Sequence, residues 1–175
     1  MAIKLVPSGK EQFFGDDEII VSKTDTHGGI TYVNDIFLKV SGFMESEVLG
    51  QPHSMIRHPD MPRAVFKLLW DYLTSGREIF AYIMNLCKNG DHYWVFAHVT
   101  PTIGANGQII GFHSNRRTPE RKSLSVVQEV YAALIKEESR HSDSRKGLEE
   151  SYAVLAKVLG EARQPYEEFI WSVGE

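Results

Sequence analysis

Residues 79–114 read IFAYIMNLCKNGDHYWVFAHVTPTIGANGQIIGFHS, and two tight turns cut them into three apolar runs. Ile79 to Lys88 alternates as a strand should, Asn89-Gly90-Asp91 reverses the chain, and His92 to Ile103 returns beside it. Asn106-Gly107 turns again into Gln108 to Ser114. Asn-Gly between apolar runs is a strong short-range hairpin signal, because both central residues of the favoured turn need positive φ. Hairpin-joined strands are antiparallel.

Working outward, the period changes from two to about 3.6 before Ser75-Gly76. A helix is expected from about Met61 to Leu73, with Phe66, Leu69, Trp70 and Leu73 on one apolar face. Asp60 stands where an N-cap belongs and Pro62 in the first turn, where its missing N–H costs nothing. Further upstream, Glu18 to Thr24 and Ile30 to Val33 read as a hairpin around His27-Gly28-Gly29. Asn34 caps a short helix, DIFLKVSG, that stops at Gly42, and Ser46 to Leu49 forms one more turn. The expected fold class is therefore α+β: a five-stranded antiparallel sheet with helices segregated on one face.

From Leu124 the sequence is helical to the end. Val127, Tyr131 and Leu134 mark one helix. Leu148, Tyr152, Leu155, Leu159, Ala162, Tyr166 and Phe169 mark a heptad-like stripe, with the polar run 139–146 as the loop between and Pro165 starting a new segment. Helices of this length need to bury that stripe, on their own domain or on a partner. A formal net charge of −4 and no long basic run argue against nucleic acid as the main ligand. No apolar run is long enough to span a membrane and no signal-peptide core is present. Cys87 alone cannot form an internal disulfide, which fits a reducing cytoplasm, and it reads as packing.

VNDIFLKVSGF, LGQPHSMIRHPDMP, LLWDYLTSG, KNGDHYWV and GFHSNRRTP together resemble a PAS sensor domain, above all the FAD-binding PAS domain of bacterial aerotaxis (energy-taxis) receptors. The resemblance covers about residues 18–120. It implies a PAS fold enclosing FAD, an N-terminal cap over 1–17, and a helical extension over 121–175 for signalling, dimerisation or partner docking. Such receptors continue into a membrane anchor and a signalling coiled coil, so the chain is expected to be a stand-alone cytoplasmic redox or oxygen sensor. It would pass its signal to a separate chemoreceptor or histidine kinase. Ile79 stands at a strand start where relatives tend to carry tryptophan.

Within PHSMIRHPDMP, three prolines stiffen the backbone and lower the entropy lost on binding. Arg57 offers a planar fork for a pyrophosphate, or a surface ion pair of little value. His53, His58 and Asp60 can meet ribose, adenine or phosphate edges; the histidines can also be ordinary loop residues, and Asp60 simply a cap. Trp70 packs in the core or stacks on a ring. Alternation puts Asn85 on the inward strand face with Ile79, Ala81, Ile83 and Cys87. Its amide needs partners there, from a flavin edge or from backbone. The expected cofactor site is Asn34, His53, Arg57, His58, Asp60, Trp70 and Asn85.

Trp94, Phe96 and His98 share the opposite face of their strand. That face calls for cover by Phe13 and Phe14 or by a second subunit, so a homodimer is expected through it or through the C-terminal helices. Two other readings stay open: a haem b gas sensor ligated by His53 or His58, and an interaction module with an empty pocket. No nucleophile lies beside His92 and Asp91, so no enzyme is expected. Photochemistry through a cysteine adduct is disfavoured too, since His53 stands about where such domains place that cysteine.

Overall fold

The computed structural model describes residues 5–174; residues 1–4 of the expected N-terminal cap lie outside them. Two compact units emerge: Met1–Pro59 with Tyr72–Thr118, and Asp60–Asp71 with Pro119–Glu175.

The first unit is built on five strands, β1 (Ile20–Thr24), β2 (Ile30–Val33), β3 (Ile79–Leu86), β4 (His92–Ile103) and β5 (Ile109–Arg117), in the order β2-β1-β5-β4-β3. Every pairing is antiparallel. β1 starts two residues later than expected because Glu18 belongs to a turn: its amide donates to the Gly15 carbonyl and its carboxylate accepts from the Gly15 N–H. β5 runs three residues past the expected Ser114, because Asn115 and Arg116 pair with Val21 and Ile20 of β1. Asn34 and Gly42 bound α1 (Asp35–Ser41) as read from the sequence. The Asn34 Oδ1 accepts from Phe37 N at 3.1 Å, and Gly42 adopts φ 75° to end the helix. α2 (Glu45–Val48) and a 3-10 turn at His53–Ile56 follow.

The segment after α2 is fastened to both edges of the sheet. At β2, Gly50 N donates to Ile30 O, Ile30 N to Gln51 O and His53 N to Gly28 O, at 2.8–2.9 Å. At β3, Arg57 bridges to Asn85 and His58 N reaches Met84 O at 3.4 Å. β2 and β3 are the two edge strands, so the proline-rich stretch crosses the inner face as a strap and covers groups that would otherwise be open edges. The N-terminal segment takes a different place. Lys10 and Gln12 exchange backbone hydrogen bonds with His92, and Ser8 and Gln12 donate side-chain bonds to Asp91 at 2.5 Å. Those bonds hold the Asp91 carboxyl below its ordinary pKa. Phe13 is 68% exposed.

The second unit holds the start of α3 (Arg63–Thr74), α4 (Arg121–Ser139), α5 (Ser144–Ala162) and α6 (Tyr166–Ser172). α3 starts at Arg63, two residues later than expected, so Asp60 is not at its N-cap. The Ala64 N–H of its first turn is instead met by the Glu138 carboxylate from α4. The buried face of α3 is Ala64, Val65, Leu68, Leu69, Tyr72 and Leu73, whereas Trp70 is 37% exposed. That face has the same three-and-four spacing as the expected one and includes Leu69 and Leu73, but is rotated away from Phe66 and Trp70. α5 likewise buries Gly147, Ser151 and Leu155, while Ala162 of the expected stripe is exposed. The reason is close approach: a Cβ at Gly147 would lie 2.8 Å from the Glu138 carbonyl oxygen. Arg163, at φ 53°, ends α5, and Pro165 precedes α6 as expected. Among the described residues no helix is long and apolar enough to cross a membrane.

Candidate functional site

Strand register fixes what shares the inner face. Ser22 lies opposite Ser114, Ile20 opposite Arg116, Arg116 opposite Ala97, Ala97 opposite Ala81, and Asn85 opposite Tyr93. Ala81, Val95 and Ala97, all 0% exposed, form a floor of small side chains. Asn85 and Tyr93 lie at one end of it and Ser22, Ser114 and Arg116 at the other. Four residues of antiparallel strand separate Tyr93 from Ala97, roughly 14 Å.

At the second end, Arg116 is 2% exposed. Its Nη2 donates to Ser22 Oγ at 2.5 Å and to His53 Nε2 at 2.6 Å, and its Cζ lies 5.9 Å from the Phe37 ring centroid. A guanidinium only donates, so His53 Nε2 is the acceptor and the ring proton sits on Nδ1. Burial and the Arg116 charge push the His53 pKa down to about 3, even though the residue as a whole keeps some surface. Arg116 is itself lowered, to about 10 by burial, and stays cationic at neutral pH. No carboxylate contacts it among the described residues.

His53 makes stability depend on pH. Unfolded, it titrates near 6.5; folded, near 3. Between those values only the unfolded state takes up the proton, so stability falls as pH drops, by on the order of 1 kcal/mol per unit. Urea unfolding at pH 7 and pH 5 should show this loss, and His53→Gln should flatten it.

At the first end, Asn85 is 3% and Tyr93 0% exposed. The Asn85 amide lies beside the Tyr93 hydroxyl of the opposite strand, and burial drives the phenol's pKa up while the Arg116 charge and the amide pull the other way. Four atoms of this face, Asn85 Nδ2, Tyr93 OH, Ser114 Oγ and Arg116 Nη1, are buried with no partner. Left unmet, each such atom costs about 1–3 kcal/mol. A polar group reaching this face would relieve that cost.

Of the residues expected at the site, the structure gathers His53, Arg57, His58 and Asn85 in the first unit. Arg57 is partly buried and bridges Asn85 through its backbone; burial lowers its pKa. His58 is 4% exposed and edge-on to His92 at 5.7 Å. Asn34 spends its amide on backbone: besides Phe37 N, it accepts from Val21 N and donates to Ile19 O. Asp60 and Trp70 fall in the second unit. Arg116, Ser22, Tyr93 and Ser114 were missed. Alternation from Asn85 and Tyr93 through the hairpins would have found Ser114, but reading β5 as ending there hid Arg116. Cys87 is 3% exposed, its thiol donates to Val40 O at 3.2 Å, and burial raises its pKa to about 11. It is packed, not poised as a nucleophile.

Residues 30–116 match the family described as the PAS fold. This part of the chain is a PAS domain. The PAS domain and its flanks are 42% identical over 119 residues to the aerotaxis receptor of Escherichia coli (strain K12), covering 68% of this chain and 23% of the receptor. A nitrogen fixation regulatory protein of Klebsiella pneumoniae is 24% identical over 91 residues, 52% of this chain and 18% of that protein. A blue-light-activated histidine kinase of Rhizobium johnstonii is 26% identical over 87 residues, 50% of this chain and 25% of the kinase. The chain thus spans less than a third of the curated relatives it matches. Among solved structures, the light state of the blue-light photoreceptor Aureochrome1 LOV aligns with a TM-score of 0.56 over 63% of this chain and 89% of that one, at 22% identity. That likeness establishes a shared fold for the PAS domain.

Proposed function

We propose that the PAS domain is a cytoplasmic redox sensor that binds FAD and signals, without catalytic turnover, to a separate chemoreceptor or histidine kinase. One observation carries this reading: the small-residue floor with unpartnered buried polar atoms at both ends. A flat heterocycle with donors and acceptors on its rim meets those atoms and covers the apolar floor. The Asn85 amide, donor and acceptor together, suits the ring's pyrimidine edge, with Tyr93 beside it. Arg57, partly buried at the β3 edge, suits the phosphates. Bound there, a flavin supplies reversible electron uptake with changed protonation and hydrogen bonding along its rim. The likeness to the aerotaxis receptor supports an energy-linked signal. The outer face, where Phe80 stacks on His98 at 4.1 Å and lies 5.7 Å from Phe96, is the surface through which this reading places a homodimer.

Haem fits less well. His53 Nε2 already accepts from Arg116, and His58 is enclosed against His92. The absorbance of the purified protein before and after dithionite, with the released cofactor identified, tests the proposal. A yellow protein that bleaches and releases FAD is expected. A Soret band, or a colourless protein whose melting temperature ignores added FAD, overturns it.

Asn85→Leu gives a two-sided check. Replacing an unpartnered buried amide by an apolar group of similar size should raise the stability of the flavin-free protein by about 1–2 kcal/mol. The same change should weaken flavin binding about tenfold. If both quantities fall together, Asn85 serves the fold instead of the ligand.

A further inference from the structure

Among the described residues, Arg116 is a buried cation that meets no carboxylate. Its Nη2 is shared between a hydroxyl and a neutral imidazole, and its Nη1 has no partner. Burying a charge costs several kcal/mol unless an opposite charge or strong hydrogen bonds compensate. A serine and a histidine offset only part of that, so the balance falls to whatever occupies the adjoining floor. We propose that Arg116 contacts the edge of the bound ring that becomes electron-rich, and so makes the site hold the reduced flavin more tightly than the oxidised one.

This rests on the flavin reading above and assigns a role that Arg57 does not fill. The two arginines differ in access. Arg57 lies at the sheet edge with part of its surface in water, where a phosphate-bearing chain has to lead out. Arg116, with Ser22 at 1% and Phe37 at 0% exposed around it, lies where only an engulfed group could reach. There the local dielectric is low, and a fixed cation distinguishes a neutral ring from one with added negative charge far more than a solvated one does. Ser22 and His53 keep the guanidinium in position. The neutral His53 accepts Nη2 and leaves Nη1 directed elsewhere, which makes both of them positioning residues.

The experiment is a redox titration of the flavin-loaded protein against dithionite with mediator dyes. Arg116→Gln should keep the yellow colour but lower the midpoint by about 30–60 mV, a tenfold to hundredfold loss of preference for the two-electron reduced form. Arg116→Lys, which keeps the charge without the fork, should recover most of the difference. An unchanged midpoint in flavin-loaded Arg116→Gln overturns the inference. Should that variant fail to fold or load, Arg116→Met, uncharged and of similar length, decides: a lowered midpoint supports the contact and an unchanged one rejects it. If Arg116 instead met a phosphate, both oxidation states would be lost equally while the midpoint held, which also overturns it. A wild-type protein without flavin defeats the underlying reading first and is told apart by its spectrum alone.

Discussion

Gly111→Ala should lower the unfolding free energy by about 3 kcal/mol. Gly111 lies in β5 beside the end of β1, and a Cβ there would fall well inside contact distance of the Thr24 carbonyl oxygen. Both clashing parts are backbone, so no side chain can rotate away. Relief requires β1 to move from β5, at the expense of the register that runs from Ile20–Arg116 to Thr24–Phe112. Inserting one methyl into a packed position costs about 1–3 kcal/mol where side chains adjust, and a backbone clash belongs at the upper end. The thermal midpoint should fall by roughly 6–12 °C. Urea or thermal unfolding followed by far-UV circular dichroism measures it, and a midpoint equal to the wild type's would show that β1 yields without loss.

Glu138→Ala should loosen the second unit by a comparable amount. The Glu138 carboxylate accepts from Arg63 Nε at 3.0 Å, from Ala64 N at 3.1 Å and from Ser151 Oγ at 3.2 Å, and its side chain is only 12% exposed. It thus ties α4 to α5 and to the first turn of α3, where an acid also complements the helix dipole. Truncation strands a hydroxyl on a residue that is 0% exposed and a helix-terminal N–H. Arg63 keeps its bonds to Ser144, which together with its partial exposure tempers the loss. A cost of about 2–4 kcal/mol follows from breaking charged hydrogen bonds in a mostly enclosed place. Hydrogen exchange should show amides of α4 and α5 opening sooner while β3, β4 and β5 keep their protection. Uniform acceleration across both units would mean that Glu138 supports the whole chain.

The sheet was legible because local chemistry is sufficient for hairpins. Asn89-Gly90 and Asn106-Gly107 dictate their reversals whatever surrounds them, and alternation put Asn85 on the inner face correctly. Helix extents and faces were less legible. For α3, two sets of residues share the same spacing, and the choice between the Trp70 side and the Leu68 side is made by packing partners more than 50 residues away. The same holds for α5, where the buried row passes through Gly147 and Ser151, residues that carry no hydrophobic signal. The site was half legible. Asn85 stood out as an amide among apolar neighbours, whereas Arg116 reads as the polar end of a strand. Only pairing with β1 and β4 turns its side chain inward. Asn34 shows the converse: a residue type suited to ligands is wholly occupied with capping and clamping backbone.

The strap across the sheet is tied down at each margin by main-chain atoms alone. Of the side chains at 53–57, Ile56 is wholly buried and His53 holds Arg116, while Ser54, Met55 and Arg57 keep some surface. Because the margins are pinned by backbone, exchange at the partly exposed positions 54, 55 and 57 can change what the crossing displays without untying it.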